Sequence, residues 1–263
     1  MPISILRLAA PMVITTALAM LAVPAFAQDG GAAMSLTGVW FPASNVSGFP
    51  MSQWSPNELP FTEAGRAAFD ANIPGKGPRE TLPARGNDPL GTANPPGLYR
   101  TLVYPRPWEF IQLPDRVVQL FEWGKHWRTI WTDGRDVPDE IVSGPFWYGY
   151  SVGEWQGDTL VVRTNNIDGR QWIDEWGTPI SEFEAAFEER WTRVGEDALE
   201  LTITVTDPEI YARPWTSAVK VYSLQGKDSV NGEPLEQIFA PIDEAIFNEQ
   251  VRDPSAAGPI PVD

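Results

Sequence analysis

The chain has 263 residues, with 19 Lys and Arg against 35 Asp and Glu, a formal charge of -16, one His and no Cys. Without cysteine there is no disulfide framework, thiol nucleophile or cysteine-ligated zinc. The acidic balance argues against nucleic acid or an anionic membrane as partner, since both call for a basic patch. A single histidine, His126, excludes a His-rich metal centre, so neither metal nor cofactor is expected.

Residues 1–27 read as a secretory signal. Arg7 supplies the positive end, an apolar core runs from Ala9 through Leu18 to Val23, and Ala25-Phe26-Ala27 forms an A-x-A cleavage site before Gln28. This predicts a periplasmic or secreted protein. No later segment has the roughly 18 apolar residues of a membrane-spanning helix, so no integral membrane segment is expected. Residues 28–35 read as a flexible tail, and 36–240 as one domain opening on a short strand at Leu36-Thr37-Gly38-Val39-Trp40. Residues 42–97 hold 10 prolines and 7 glycines, too many for a continuous sheet. They predict a long arm, either packed through Trp54, Phe61 and Phe69 or lying as a lid over a pocket. One helix is expected there, from about Thr62 to Ala71, with Thr62 as N-cap and Gly65 as a mild defect.

From Tyr104 to Leu224 the pattern becomes β. Candidate strands are 107–113, 116–123, 126–133, 146–155, 158–164, 185–193, 198–206 and 216–224, with 182–191 equally readable as helix. Leu199, Leu201, Ile203 and Val205 alternate with Glu200, Thr202, Thr204 and Thr206, which marks a half-buried strand. With the strand at Trp40 they predict an all-β fold, an antiparallel barrel or sandwich carrying a long Pro/Gly-rich N-terminal arm. Residues 241–263 read as a C-terminal tail with a short helix from Asp243.

Two-residue hairpins are expected at Gly124-Lys125 and Gln156-Gly157. The first pairs Trp123 with His126 and divides the hairpin into two faces. One carries Val118, Leu120, Glu122, Trp127, Thr129, Trp131 and Asp133. The other carries Val117, Gln119, Phe121, Trp123, His126, Arg128 and Ile130. If the first lines the lumen, Glu122 or Asp133 is a desolvated general acid or base. If the second does, His126 is the proton carrier and Arg128 an anion clamp. The second hairpin puts Trp147, Gly149, Ser151, Gly153 and Trp155 on one face, with Tyr148, Tyr150 and Arg163 opposite. Eight of the 12 tryptophans fall between Trp108 and Trp176, a density that suits an apolar, aromatic or sugar-like ligand as well as a plain core.

Signatures of nucleophile elbows and phosphate loops are missing. Asn165-Asn166-Ile167-Asp168-Gly169 and Asp133-Gly134-Arg135-Asp136 are turn chemistry rather than calcium loops. The segments Gly38-Val39-Trp40, WRTIWTDGR (127–135), GYSVGEWQGDTLVVRT (149–164), WIDEWG (172–177), EERWTRV (188–194) and LTITVTDPEIYARPW (201–215) together resemble a large family of secreted bacterial proteins. The resemblance covers roughly 36–224 and implies export and a lipocalin-like architecture. It transfers no catalytic residue. Val137 and Ile180 stand where relatives carry histidines, which leaves His126 alone for any histidine chemistry.

The reading that follows is an exported protein holding an apolar or aromatic small molecule in a Trp-lined barrel. It leans towards cofactor-free acid-base chemistry of the hydratase, lyase or isomerase type. Glu122 is the expected proton carrier, with Asp133 or His126 as its partner. Trp127, Trp131, Arg128, Trp123 and Tyr148 are the expected ligand contacts. The alternatives are a non-catalytic lipid or small-molecule binder, whose carboxylates would all sit in salt bridges, and a carbohydrate-active enzyme with paired carboxylates. Ligand identity and oligomeric state stay open.

Overall fold

A computed structural model describes residues 35–236 apart from 44–52, 56–57, 83–84, 93 and 139–143. The signal segment at 1–27, nearly all of the 28–35 tail and the 241–263 tail lie outside the described residues. Ten strands follow the first helix-free segment: β1 (Gly38–Pro42), β2 (Trp108–Gln112), β3 (Arg116–Phe121), β4 (Trp127–Trp131), β5 (Tyr150–Gln156), β6 (Thr159–Asn165), β7 (Ala186–Val194), β8 (Ala198–Thr206), β9 (Trp215–Thr216) and β10 (Lys220–Leu224). Among the described residues there are two α-helices, α1 (Glu63–Ala71) in the arm and α2 (Leu98–Val103) directly after it.

The strands pair in sequence from β1 to β8, and β10 pairs with both β1 and β8, so nine strands close into a barrel. The β8 edge is shared: Ala198–Leu201 pair with β10, while Thr204 and Val205 pair with β9. Between them Ser217 bends the chain, its N–H donating to the Ile203 carbonyl and its Oγ accepting from the Ile203 N–H. Closure removes the open edges that an all-β sheet would otherwise expose. One pairing departs from the expected antiparallel pattern. β4 and β5 are parallel, with Ile130 opposite Ser151 and Trp131 opposite Val152. The ambiguous 182–191 segment is strand from Ala186, with Phe187, Glu189 and Trp191 alternating inward.

Both hairpins close two residues away from the sequence expectation. In the first, Leu120 faces Trp127, and Glu122-Trp123-Gly124-Lys125 forms the turn. Gly124 and Lys125 take positive φ there (79° and 51°). In the second, Gln156 faces Thr159, and the turn is Gly157-Asp158, with Gly157 at φ 62°. A slip of two residues leaves the faces unchanged, because side chains alternate with period two.

The inward face of the first hairpin is that of Val117, Gln119, Phe121, Arg128 and Ile130, all buried. Trp127, Trp131 and Asp133 lie outside, with Trp127 64% exposed, while Glu122 leaves the strand for the turn and is buried there. The first of the two lumen assignments is thereby corrected. The cause is a partner on another strand. Arg128 enters the interior because Glu189 of β7 receives it in a bidentate pair (2.7 and 2.6 Å). Glu189 also accepts from the Tyr99 hydroxyl (3.0 Å) and Trp191 Nε1 (2.7 Å), while Gln119 Oε1 takes Arg128 Nε (2.8 Å).

Side chains fill the barrel. Trp108, Phe110, Trp191 and Tyr222 form a cluster with ring centroids 4.9–5.8 Å apart. All six residues of α2 are buried. Tyr99 of α2 stacks on Phe187 of β7 at 4.1 Å, and the Tyr222 hydroxyl of β10 donates to Leu102 O. α2 thus packs against inward residues of β7 and β10. α1 begins where expected, with Thr62 Oγ1 accepting from the Gly65 N–H at 2.9 Å. Gly65, read as a defect, is instead a contact point. A Cβ there would sit 1.9 Å from the Ile210 carbonyl oxygen, so only glycine lets the helix dock on the 207–211 turn.

Two stability outcomes follow. Arg128→Met strands the Glu189 charge in the core and should cost about 3–5 kcal/mol in urea unfolding. Gly65→Ala should destabilise the protein, although alanine favours an exposed helix by about 1 kcal/mol. A rise in melting temperature would show that α1 does not dock as described.

Candidate functional site

The expected site residues are dispersed. Glu122 sits at the hairpin turn, 6% exposed, beside Arg106 (3.7 Å) and accepting the Leu235 N–H at 2.9 Å. Asp133 lies beyond the far end of β4, held by Arg135 at 2.6 Å, and that hydrogen bond pulls its pKa below the usual carboxylate value. His126 is partly buried near Tyr148 (5.2 Å), and burial lowers its pKa. Seven residues of extended chain separate His126 from Asp133, roughly 20 Å at ~3.3 Å per residue. Glu122 and His126 share one hairpin end; Asp133 does not join them. Trp131 lies on the outer face between the Arg116 and Arg135 guanidinium groups, 4.6 and 3.7 Å from its ring centre. Arg128 is a core residue. Tyr148 stacks on Phe121 at 5.6 Å, and burial raises its hydroxyl pKa. Of the eight residues, Trp123 alone lines a cleft described below.

That cleft lies outside the barrel, where the arm meets the first hairpin. Its volume is about 340 Å3, and its walls include Lys76, Asp88, Arg100, Tyr104, Trp123 and Glu175. Tyr104 stacks face to face on Trp123 (centroids 3.8 Å, 23°), and Lys76 sits 5.3 Å from the Tyr104 ring centre. Arg100 is bidentate to Asp88, both bonds 2.7 Å. Burial opposes the Arg100 charge, but the hydrogen bonds and charge of Asp88 outweigh it and raise its pKa. Arg100 Nε is a buried donor with no partner among the described residues. Glu175 is buried and paired with Lys76 at 2.8 Å. Next to it, Asp174 accepts from the Thr178 hydroxyl and main chain, while burial raises its pKa.

A second cleft of about 390 Å3 lies between α1, residues 76–79 and Trp176, with Gln53 and Ser55 also lining it. Lys76 borders both clefts. Behind this one, buried Lys220 donates to the Gln53 carbonyl. Burial brings the Lys220 pKa down to about 8, with Asp174 acting in the other direction.

Sequence reasoning passed over Arg100, Tyr104, Lys76 and Glu175. The usable signal was WIDEWG at 172–177, where an acidic pair between indoles contributes Glu175 to one cleft and Trp176 to the other. No family profile, curated protein or solved structure matches the chain. Among the described residues no His, Asp and Glu cluster could hold a metal ion.

Lys220 generates a pH dependence of stability. Its folded pKa of about 8 lies below its ordinary 10.5, so the unfolded chain binds more protons between these values. Stability should therefore rise with pH from about 8, by on the order of 2 kcal/mol at pH 10. Above that, unfolding releases Tyr99, Tyr211 and Tyr222, whose pKa values burial raises, and stability should fall again. Denaturant midpoints of Lys220→Met should lack the rise.

Proposed function

We propose that the protein binds an apolar or aromatic small molecule in the cleft between its arm and the barrel, beside Tyr104 and Trp123, without turning it over. The observation that carries this reading is the saturation of the acids. Asp88 is held by Arg100 and Glu175 by Lys76, the two carboxylates of the cleft wall. Glu122 and Asp133 are held by Arg106 and Arg135. Each of these four carboxylates is engaged by a contacting cation, which leaves none of them standing as a free acid-base group. The cleft volume falls in the range of small-molecule sites, and the indole and phenol give the flat apolar wall that such sites use. The unpartnered Arg100 Nε–H asks for an acceptor on the ligand. Export through the amino-terminal signal read at 1–27 belongs to the same proposal, and an exported carrier needs no resident cofactor.

The test uses 1-indanone, a neutral bicyclic ketone that offers a ring to the wall and a carbonyl to Arg100. Tryptophan fluorescence titration should show saturable binding, weakened about tenfold by Trp123→Ala, the order of magnitude of one lost aromatic contact at ~1.4 kcal/mol. Native mass spectrometry of protein purified from its own host should show a retained organic mass. Consumption of that molecule by the protein, or unchanged indanone affinity in Trp123→Ala, would refute the reading.

A further inference from the structure

The cleft between α1 and Trp176 runs against the charge of the chain. The protein as a whole is at -16, yet this cleft is lined by Arg66, Lys76 and Arg79 with Glu58 as the lone acid. Its other walls are apolar and aromatic, among them Leu59, Phe61, Phe69 and Trp176. The three cations differ in how they are matched. Arg66 reaches Glu58 at 3.2 Å and Asp70 at 3.9 Å, and Lys76 reaches Glu175 at 2.8 Å. Arg79 has no carboxylate in contact among the described residues. Its guanidinium donates instead to the main-chain carbonyls of Phe69, Asn72 and Trp176 at 2.7–2.8 Å. Those bonds fix the group flat against the Phe69 ring, 3.6 Å from its centre, without cancelling its charge. Gln53 supplies the second observation. It lines the same cleft, it is 9% exposed, and its Oε1 is buried with no hydrogen-bond partner among the described residues. A buried acceptor left unpaired is costly unless a ligand brings it a donor.

We propose that this cleft is a second binding site, distinct from the one beside Tyr104 and Trp123, for an organic carboxylate with an apolar body and a hydroxyl group. The carboxylate meets Arg79 and its neighbours Arg66 and Lys76. The apolar body lies between Phe61, Phe69 and Trp176, and the hydroxyl donates to Gln53 Oε1. At about 30 Å3 per water-sized group, the cleft takes a ligand of roughly a dozen non-hydrogen atoms. An isolated surface cation pairs weakly with an anion, but a guanidinium fixed on an aromatic ring in a partly closed cleft loses less freedom on binding.

Isothermal titration calorimetry on the full chain tests this with a matched series: 4-phenylbutanoate, 3-hydroxy-4-phenylbutanoate, 4-phenylbutan-1-ol and 4-phenylbutylammonium. The two carboxylates should bind at least tenfold more tightly than the ammonium ion, with affinity falling as salt is added. The hydroxylated acid should bind severalfold more tightly than the plain one, and Gln53→Leu should erase that difference. Arg79 also ties α1 to the 172–178 loop, so the charge is probed at the more exposed Arg66. Arg66→Glu should lower carboxylate affinity at least tenfold and raise that of the ammonium ion, with melting confirming that the fold is kept. Equal affinity for acid and ammonium, or no response to Arg66→Glu, overturns the proposal. Trp123→Ala should leave carboxylate binding intact, so failure of the indanone site and failure of this one are read separately.

Discussion

The fold turns on one buried ion pair. Arg128 and Glu189 are 61 residues apart, on β4 and β7, and meet inside a nine-stranded barrel. Neither charge could stay there alone, since an uncompensated buried ion costs several kcal/mol even after relaxation. Together they leave no side-chain nitrogen or oxygen of the pair without a hydrogen bond: two bonds join them, one runs from Arg128 to Gln119, and others reach Glu189 from Tyr99 and Trp191. The pair links β3, β4, β7 and α2 in a single network. By drawing Arg128 inward it also dictates which way the whole first hairpin faces. Trp127, Thr129 and Trp131 face outward because Arg128 is inside, for alternation along β4 leaves no other arrangement.

That choice moves the candidate chemistry out of the barrel. With Trp108, Phe110, Trp191 and Tyr222 in ring contact and α2 packed behind them, the interior is core. Space opens where the Pro/Gly-rich arm crosses the barrel instead. The arm contributes Lys76 and Asp88, α2 and its C-cap contribute Arg100 and Tyr104, the first hairpin contributes Trp123, and the 172–178 loop contributes Glu175 and Trp176. Ion pairs between these segments do two things at once. Arg100–Asp88 and Lys76–Glu175 hold the arm in place, and they neutralise the acids that a proton-transfer site would need free. The surface thus offers one apolar, aromatic cleft and one lined by three cations.

Much of the strand order was readable, and particular residues show why. Leu199, Leu201, Ile203 and Val205 alternate with polar neighbours, and β8 buries all four. Thr62 announced α1 through its side-chain oxygen, a local interaction that needs no tertiary partner. The turn glycines marked both hairpins but not their closure, because Gly157 could stand at either turn position and Gly124 fits a four-residue loop as well as a two-residue one. α2 went unseen. Six residues buried on every side carry no 3.6-residue periodicity, and Pro95-Pro96-Gly97 before them reads as coil. Gly65 looked like a flaw because its reason, the carbonyl of Ile210, lies 145 residues away.

The amino-acid sequence by itself determined the all-β class, the approximate positions of most strands (the one expected at 216–224 is two, β9 and β10), the parity of each face and the split between barrel and arm. These follow from period-two burial and turn chemistry, which act between neighbours along the chain. Tertiary structure alone decided which face became the interior, that β4 and β5 run parallel, and that the accessible space lies under the arm. Each of those depends on a contact across the closed sheet, such as Arg128 with Glu189 or Lys76 with Glu175, and a charge does not disclose its distant partner in a linear sequence.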